Sequence, residues 1–95
     1  MRKYEAMFIF KPDLPESERV ALGQQVGDVI TKNGGTIAQA AVWAEKRKFT
    51  FRLKHQDEGM YYLINFSAPS DAIAKLRSAY NINEAVLRYL ITVRE

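Results

Sequence analysis

A chain of 95 residues makes one domain, residues 1–95, and a domain this short buries only about 60–65% of the surface its unfolded form exposes, so a single compact core must carry its stability. Hydrophobic residues make up 47% of the chain, too many for a disordered tail, while no apolar run is long enough to span a membrane and no cysteine is present to form a disulfide or a thiolate metal site, which fits a cytoplasmic protein. The net charge is only +3, but it is unevenly placed: Lys46, Arg47, Lys48, Arg52 and Lys54 cluster, and Arg2 and Lys3 form a second group, so a polyanion is the natural partner and a basic, protected strand edge the plainer alternative.

The first element is a strand over Arg2 to Phe10, with Tyr4, Ala6, Phe8 and Phe10 on one face and Glu5, Met7 and Ile9 on the other. Glu5 and Lys11 interrupt the apolar stretch, which makes it too short for a signal peptide. Lys11-Pro12-Asp13-Leu14-Pro15 breaks the strand. A helix follows from Pro15 or Glu16, with Glu16 and Glu18 at its positive end and Leu22, Val26, Val29 and Ile30 as its buried stripe. Lys32 closes its last turn, and Gly34-Gly35 supply a left-handed stop.

Thr36 to Leu53 reads as a long strand. Phe49, Phe51 and Leu53 alternate with Thr50, Arg52 and Lys54, whereas the Ala-rich first half alternates poorly, which predicts a bulge near Trp43-Ala44. His55-Gln56-Asp57-Glu58-Gly59 reads as a turn. Met60 to Ser67 is the third strand, with Met60, Tyr62, Ile64 and Phe66 on one face and Tyr61, Leu63 and Asn65 on the other. Pro69-Ser70-Asp71 opens a second helix, with Ser70 as its N-cap and Ile73, Leu76 and Tyr80 as its apolar side. It ends at Asn81-Ile82-Asn83, and Val86 to Val93 is the last strand.

The order β-α-β-β-α-β predicts an α+β, ferredoxin-like split βαβ sandwich: a four-stranded antiparallel sheet with two helices on one face. The other face is left open and carries Met7, Ile9, Tyr61 and Leu63 with Asn65. An apolar open face on a small domain implies a partner, unless long basic side chains lie over it.

Signals for catalysis are weak. His55, the one histidine, stands in a polar segment with no second ligand for a metal. Asp57 and Glu58 are adjacent and point apart on a turn, and Ser17, Ser67, Ser70 and Ser78 belong to no motif with a base. Gly34-Gly35 is followed by no lysine in a phosphate-loop pattern. The run Gly59-Met60-Tyr61-Tyr62-Leu63-Ile64-Asn65-Phe66 is a decoy for the aromatic motif of RNA-recognition domains. Its aromatic alternation has the wrong phase, because Met60 occupies the position after the glycine. No cofactor, metal, membrane or small-molecule substrate is expected, and the chain reads as a non-enzyme.

Several segments together resemble the bacterial small-subunit ribosomal protein S6 family over essentially the whole length. They are Met1-Arg2-Lys3-Tyr4-Glu5, Lys11-Pro12-Asp13-Leu14, Trp43-Ala44-Glu45-Lys46-Arg47-Lys48-Phe49, Glu58 to Phe66, and Asn83-Glu84-Ala85-Val86-Leu87-Arg88-Tyr89-Leu90. Each is moderately specific; their order and spacing together are strongly so. The resemblance implies a structural constituent of the 30S subunit that binds 16S ribosomal RNA together with ribosomal protein S18. It implies RNA contact at Arg2, Lys3 and Arg88, and it puts the basic strand around Lys46, Arg47 and Lys48 at the protein partner or the RNA. Trp43 is expected at the partner surface or at the strand bend, with a core tryptophan as the plainer alternative. A different ferredoxin-like RNA-binding or protein-interaction module is the alternative. Two positions depart from the family pattern. Ala44 stands where glycine is usual, and Arg52 falls where a proline is expected, which restores a backbone donor to that strand. Family members often carry a C-terminal tail that touches the partner; here the sequence ends at Glu95, and that contact is expected to be absent. Arg88 lies between Val86 and Leu90, read as one apolar strand face, so its guanidinium must leave past the end of the sheet, where it suits a phosphate, with a structural ion pair to Glu5 or Glu84 as the plainer alternative.

Overall fold

A computed structural model describes the chain over residues 1–11, 14–53 and 56–94, and its side chains over 1–11, 14–42 and 59–94. The elements are β1 (Arg2–Phe10), α1 (Glu16–Lys32), β2 (Thr36–Leu53), β3 (Gln56–Ala68), α2 (Ala72–Asn81) and β4 (Val86–Val93). They form one antiparallel sheet in the order β2-β3-β1-β4, with β1 and β3 in the centre. This is the split βαβ order that the sequence predicts.

The two-residue period of β1 decides which side the helices take. Tyr4, Ala6, Phe8 and Phe10 are all buried, and Met60, Ile64 and Phe66 of β3 join them on the same side. Leu22, Val26 and Ile30 of α1 and Ala72, Leu76 and Tyr80 of α2 complete the core. Fully burying one large apolar side chain of this kind stabilises a fold by roughly 1.5–3 kcal/mol, so this layer holds the sheet to the helices. Phe8 meets Tyr80 edge to face, with ring centroids 4.8 Å apart. The Tyr80 hydroxyl donates a 2.6 Å hydrogen bond to the Val26 carbonyl and so ties α2 to α1 inside the core.

α1 ends as expected. Gly34 takes a φ of +87°, its N–H donates to the Thr31 carbonyl, and the Gly35 N–H donates to the Ile30 carbonyl, which completes a Schellman stop. A Cβ on Gly35 would sit 2.5 Å from Ile30 Cγ2 and 2.9 Å from the Ile30 carbonyl oxygen, so the turn into β2 admits no side chain there.

Three expectations are corrected. Ser70 is not the N-cap of α2. The Ala72 N–H bonds the Pro69 carbonyl at 3.0 Å, Asp71 precedes the helix, and no side chain caps it. Proline fixes a turn whose backbone carbonyl satisfies the first helical donor. The segment after Leu53 is not a five-residue turn either: β3 begins at Gln56, which pairs with Leu53, and Lys48 stands opposite Glu58, so residues 56–59 extend a long hairpin. His55 lies outside the described residues. The third correction concerns β4, where Phe10 pairs with Val86 but Ile9 pairs with Arg88. Leu87 is an extra residue, a bulge that switches the strand's faces. Val86 is therefore buried, Leu90 is 57% exposed, and the two do not share a face. The bulge expected near Trp43-Ala44 is present, with register shifts between Val42 and Ala44 and between Ala44 and Arg47.

Candidate nucleic-acid and partner interface

The open face follows from the same alternation that fills the core. The register aligns its residues into rows that cross the sheet from β2 to β4. Gln39, Asn65, Glu5 and Thr92 form a polar row. Ala41, Leu63, Met7 and Leu90 form the next, and it is wholly apolar. Ala44, Tyr61, Ile9 and Arg88 form the third. The expected set of Met7, Ile9, Tyr61, Leu63 and Asn65 therefore does lie together on the uncovered side. Leu90, which sequence reasoning assigned to the wrong surroundings, extends the apolar band to the β4 edge.

The cationic candidates divide between the two ends of the sheet, with Lys3 and Arg88 on the open face and Arg2, by alternation with Lys3, on the helix side. Arg2 and Lys3 open β1, pairing with Ala68 and Ser67. Arg88 stands beside Ile9, six residues further along β1, which is about 20 Å away at strand rise. One phosphate cannot bridge the two. Arg88 is exposed and is also engaged within the chain. The bulge at Leu87 is what turns it to the open face. Trp43, Lys46, Arg47 and Lys48 belong to β2, and Arg47 pairs with Gly59 just beyond the Phe10–Met60 pair. That places the basic hairpin at the Arg88 end, on the opposite edge of the sheet. The side chains of these four residues lie outside the described residues.

The decoy motif is resolved by burial. Met60, Ile64 and Phe66 are buried, and Tyr62 packs on the core with its ring 5.6 Å from Phe10, so these side chains face the helices. Tyr61 is the aromatic of that run which the register puts on the open face. Burial also raises the pKa of Tyr62 above the usual phenol value. Sequence reasoning missed Arg94. Its N–H bonds the Lys3 carbonyl at 2.7 Å, which brings it beside Arg2 and Lys3. Pairing the last strand antiparallel to the first would have put it there, and that signal was available once the split order was read.

Residues 3–93 match the family model for ribosomal protein S6. The chain belongs to the ribosomal protein S6 family. A small ribosomal subunit protein bS6 from Thermoanaerobacter pseudethanolicus is 42% identical over 91 residues, covering 96% of this chain and 95% of that one. The bS6 of Fusobacterium nucleatum is 37% identical over 95 residues and is covered completely by the match, as is this chain. The crystal structure of 30S ribosomal protein S6 from Thermotoga maritima superposes with a TM-score of 0.90 at 31% identity, covering 98% of this chain and 87% of that one. As a member of this family of structural proteins, the chain is a constituent of the bacterial 30S subunit and so of the cytoplasmic ribosome. Among the described residues no helix is long and apolar enough to cross a membrane.

Proposed function

We propose that the chain, as one domain over residues 1–95, binds 16S ribosomal RNA jointly with ribosomal protein S18 and acts without catalysis. The observation that carries this reading is the open sheet face, where an apolar band of Ala41, Leu63, Met7 and Leu90 runs between two separate cationic ends. A band of that kind on a small domain favours a protein partner, because its area leaves water only on association. Arg2 and Lys3 at one end and Arg88 at the other serve the RNA. The hairpin positions Trp43, Lys46, Arg47 and Lys48 serve the partner at the β2 edge.

The division of labour sets an order of affinities. A net charge of +3 gives weak counterion release by itself, so the chain alone binds RNA weakly and the pair of proteins binds it tightly. Titration of a fragment of 16S ribosomal RNA, with and without S18, tests this. Tight binding by the chain alone at physiological salt contradicts the joint mechanism. Tryptophan fluorescence follows the partner step. An unchanged Trp43 spectrum on adding S18 removes that residue from the interface.

A further inference from the structure

At the end of the sheet where β1 begins, the open face closes on a row that crosses β2, β3 and β1 and ends on Arg94, the residue after β4. Thr36 pairs with Ser67, Ser67 pairs with Lys3, and the Lys3 carbonyl accepts the Arg94 N–H at 2.7 Å. Two hydroxyls and two cations thus lie side by side over about 14 Å, three strand spacings. Like charges opposite each other on neighbouring strands repel. Neither the Lys3 nor the Arg94 side chain forms a hydrogen bond or ion pair with a described residue. Among the described residues of this face, the carboxylate beside them is Glu5, in the next row inward.

Lys3, Ser67, Arg94 and Asn65 line one recess of about 540 Å³. The carboxamide oxygen of Asn65 is buried and accepts no hydrogen bond. A buried acceptor without a donor is costly, and few are left so in folded proteins. The two observations narrow the ligand chemistry. The cations call for an anion. The acceptor calls for a donor, which a phosphate diester does not have. A ribose-phosphate unit carries both, because its 2′-hydroxyl can donate while its phosphate accepts.

We propose that this recess holds one ribose-phosphate unit of an RNA strand. Lys3 and Arg94 take the phosphate, with the guanidinium fork of Arg94 able to contact two of its oxygens. Ser67 donates its hydroxyl to the same phosphate, and the ribose 2′-hydroxyl donates to Asn65 Oδ1. Glu5 repels the phosphate from the apolar band and keeps it at the outer row. The proposal rests on the RNA-binding reading above and adds Ser67, Asn65 and Arg94 to it, together with a preference for ribose over deoxyribose.

The test uses the full chain with S18 and a 16S ribosomal RNA fragment, titrated over a range of salt. The double substitution Lys3→Gln, Arg94→Gln lowers the slope of log affinity against log salt by about 0.7, the contribution of one phosphate on a single strand, and Arg94→Gln and Lys3→Gln each lower it by part of that. Replacing single riboses of the fragment with deoxyribose weakens wild-type binding at one position, and Asn65→Ala abolishes the difference at that position. Asn65→Ser, which keeps an acceptor, retains part of it and guards against a folding defect. If wild type binds RNA, Arg88→Ala weakens it, and the Arg94 and Lys3 slopes are unchanged, the recess is overturned and the RNA reading stands. If Arg94→Gln weakens association with S18 in the absence of RNA and leaves the slope unchanged, the row is a protein contact and the proposal is overturned. No RNA binding by wild type with S18 overturns both.

Discussion

The two faces of the sheet are made by the same strands and differ in everything that follows from their cover. On the helix side, Phe8, Phe10, Ile64 and Phe66 are essentially without solvent contact, and a polar tip there finds a partner, as the Tyr80 hydroxyl finds Val26. On the open side, Leu90 is 57% exposed in a row with Met7 and Leu63, and Asn65 keeps a buried oxygen without a donor. The first face is complete as it stands. The second has apolar area, unpaired polarity and separated cations, which is the condition of a surface that is finished by association. Stability is expected to reside on one side of the sheet and binding on the other.

Substitutions can break that comparison. The largest effect is expected on the covered side. Phe8→Ala removes a ring with no solvent exposure from against Tyr80 and should cost about 3–5 kcal/mol, read as a lower denaturant midpoint with an unchanged slope. A cost below about 1 kcal/mol would mean the core tolerates a cavity that size and would remove the basis for calling this face the stable one. On the open side, Arg88→Ala should leave melting unchanged and weaken RNA binding by about 1–3 kcal/mol, the range for losing a hydrogen bond to a charged group. Arg88→Lys should restore part of it, since lysine keeps the charge and not the fork. A melting temperature several degrees lower, with complex formation intact, would make Arg88 a structural member of the fold instead.

Tyr80→Phe deletes only the hydroxyl that reaches Val26 and should cost about 1 kcal/mol. It should also change the alkaline limb of the stability curve. Burial holds the Tyr80 phenol well above its ordinary value, and the unfolded chain releases this proton first, near pH 10. The stabilising difference is therefore complete below about pH 10 and is lost as pH rises toward the folded-state value. Wild type should lose stability through that window more steeply than Tyr80→Phe, and parallel curves would show that Tyr80 does not ionise on unfolding. The smallest effect is expected from Leu90→Ser, within about 0.5 kcal/mol of wild type in stability because the side chain is mostly exposed. Its association with S18 should weaken by about 1 kcal/mol, the order expected for an apolar side chain removed from a covered patch. Unchanged association would take the β4 end of the apolar band out of the partner surface.

How much of this was legible beforehand differs by element. The strand faces of β1 and of β3 from Met60 onward, the buried stripe of α1 and the glycine stop after Lys32 followed from periodicity and from residue chemistry, because a period of two or a left-handed turn is a local demand. The entry to α2 misled, since Ser70 is a good capping residue in isolation and the Pro69 carbonyl reached the helix donor first. The loop after Leu53 misled in the same way: Gln56, Asp57 and Glu58 avoid strands by themselves and enter one here because β2 offers them a partner.

For the candidate surface the split is sharper. The sequence by itself determined that an apolar and partly basic open face would exist, because alternation puts Met7, Ile9, Tyr61 and Leu63 opposite the core residues. Which cations share an end of that face was decided by tertiary structure. Arg94 comes beside Lys3 through a pairing between the two ends of the chain, and Arg88 reaches the open side only because Leu87 bulges out of register with Ile9 and Phe10. Local propensity specifies the faces of a strand one residue at a time. Register is set between strands remote in sequence, by the packing of a whole layer, and a one-residue change in it exchanges the two faces.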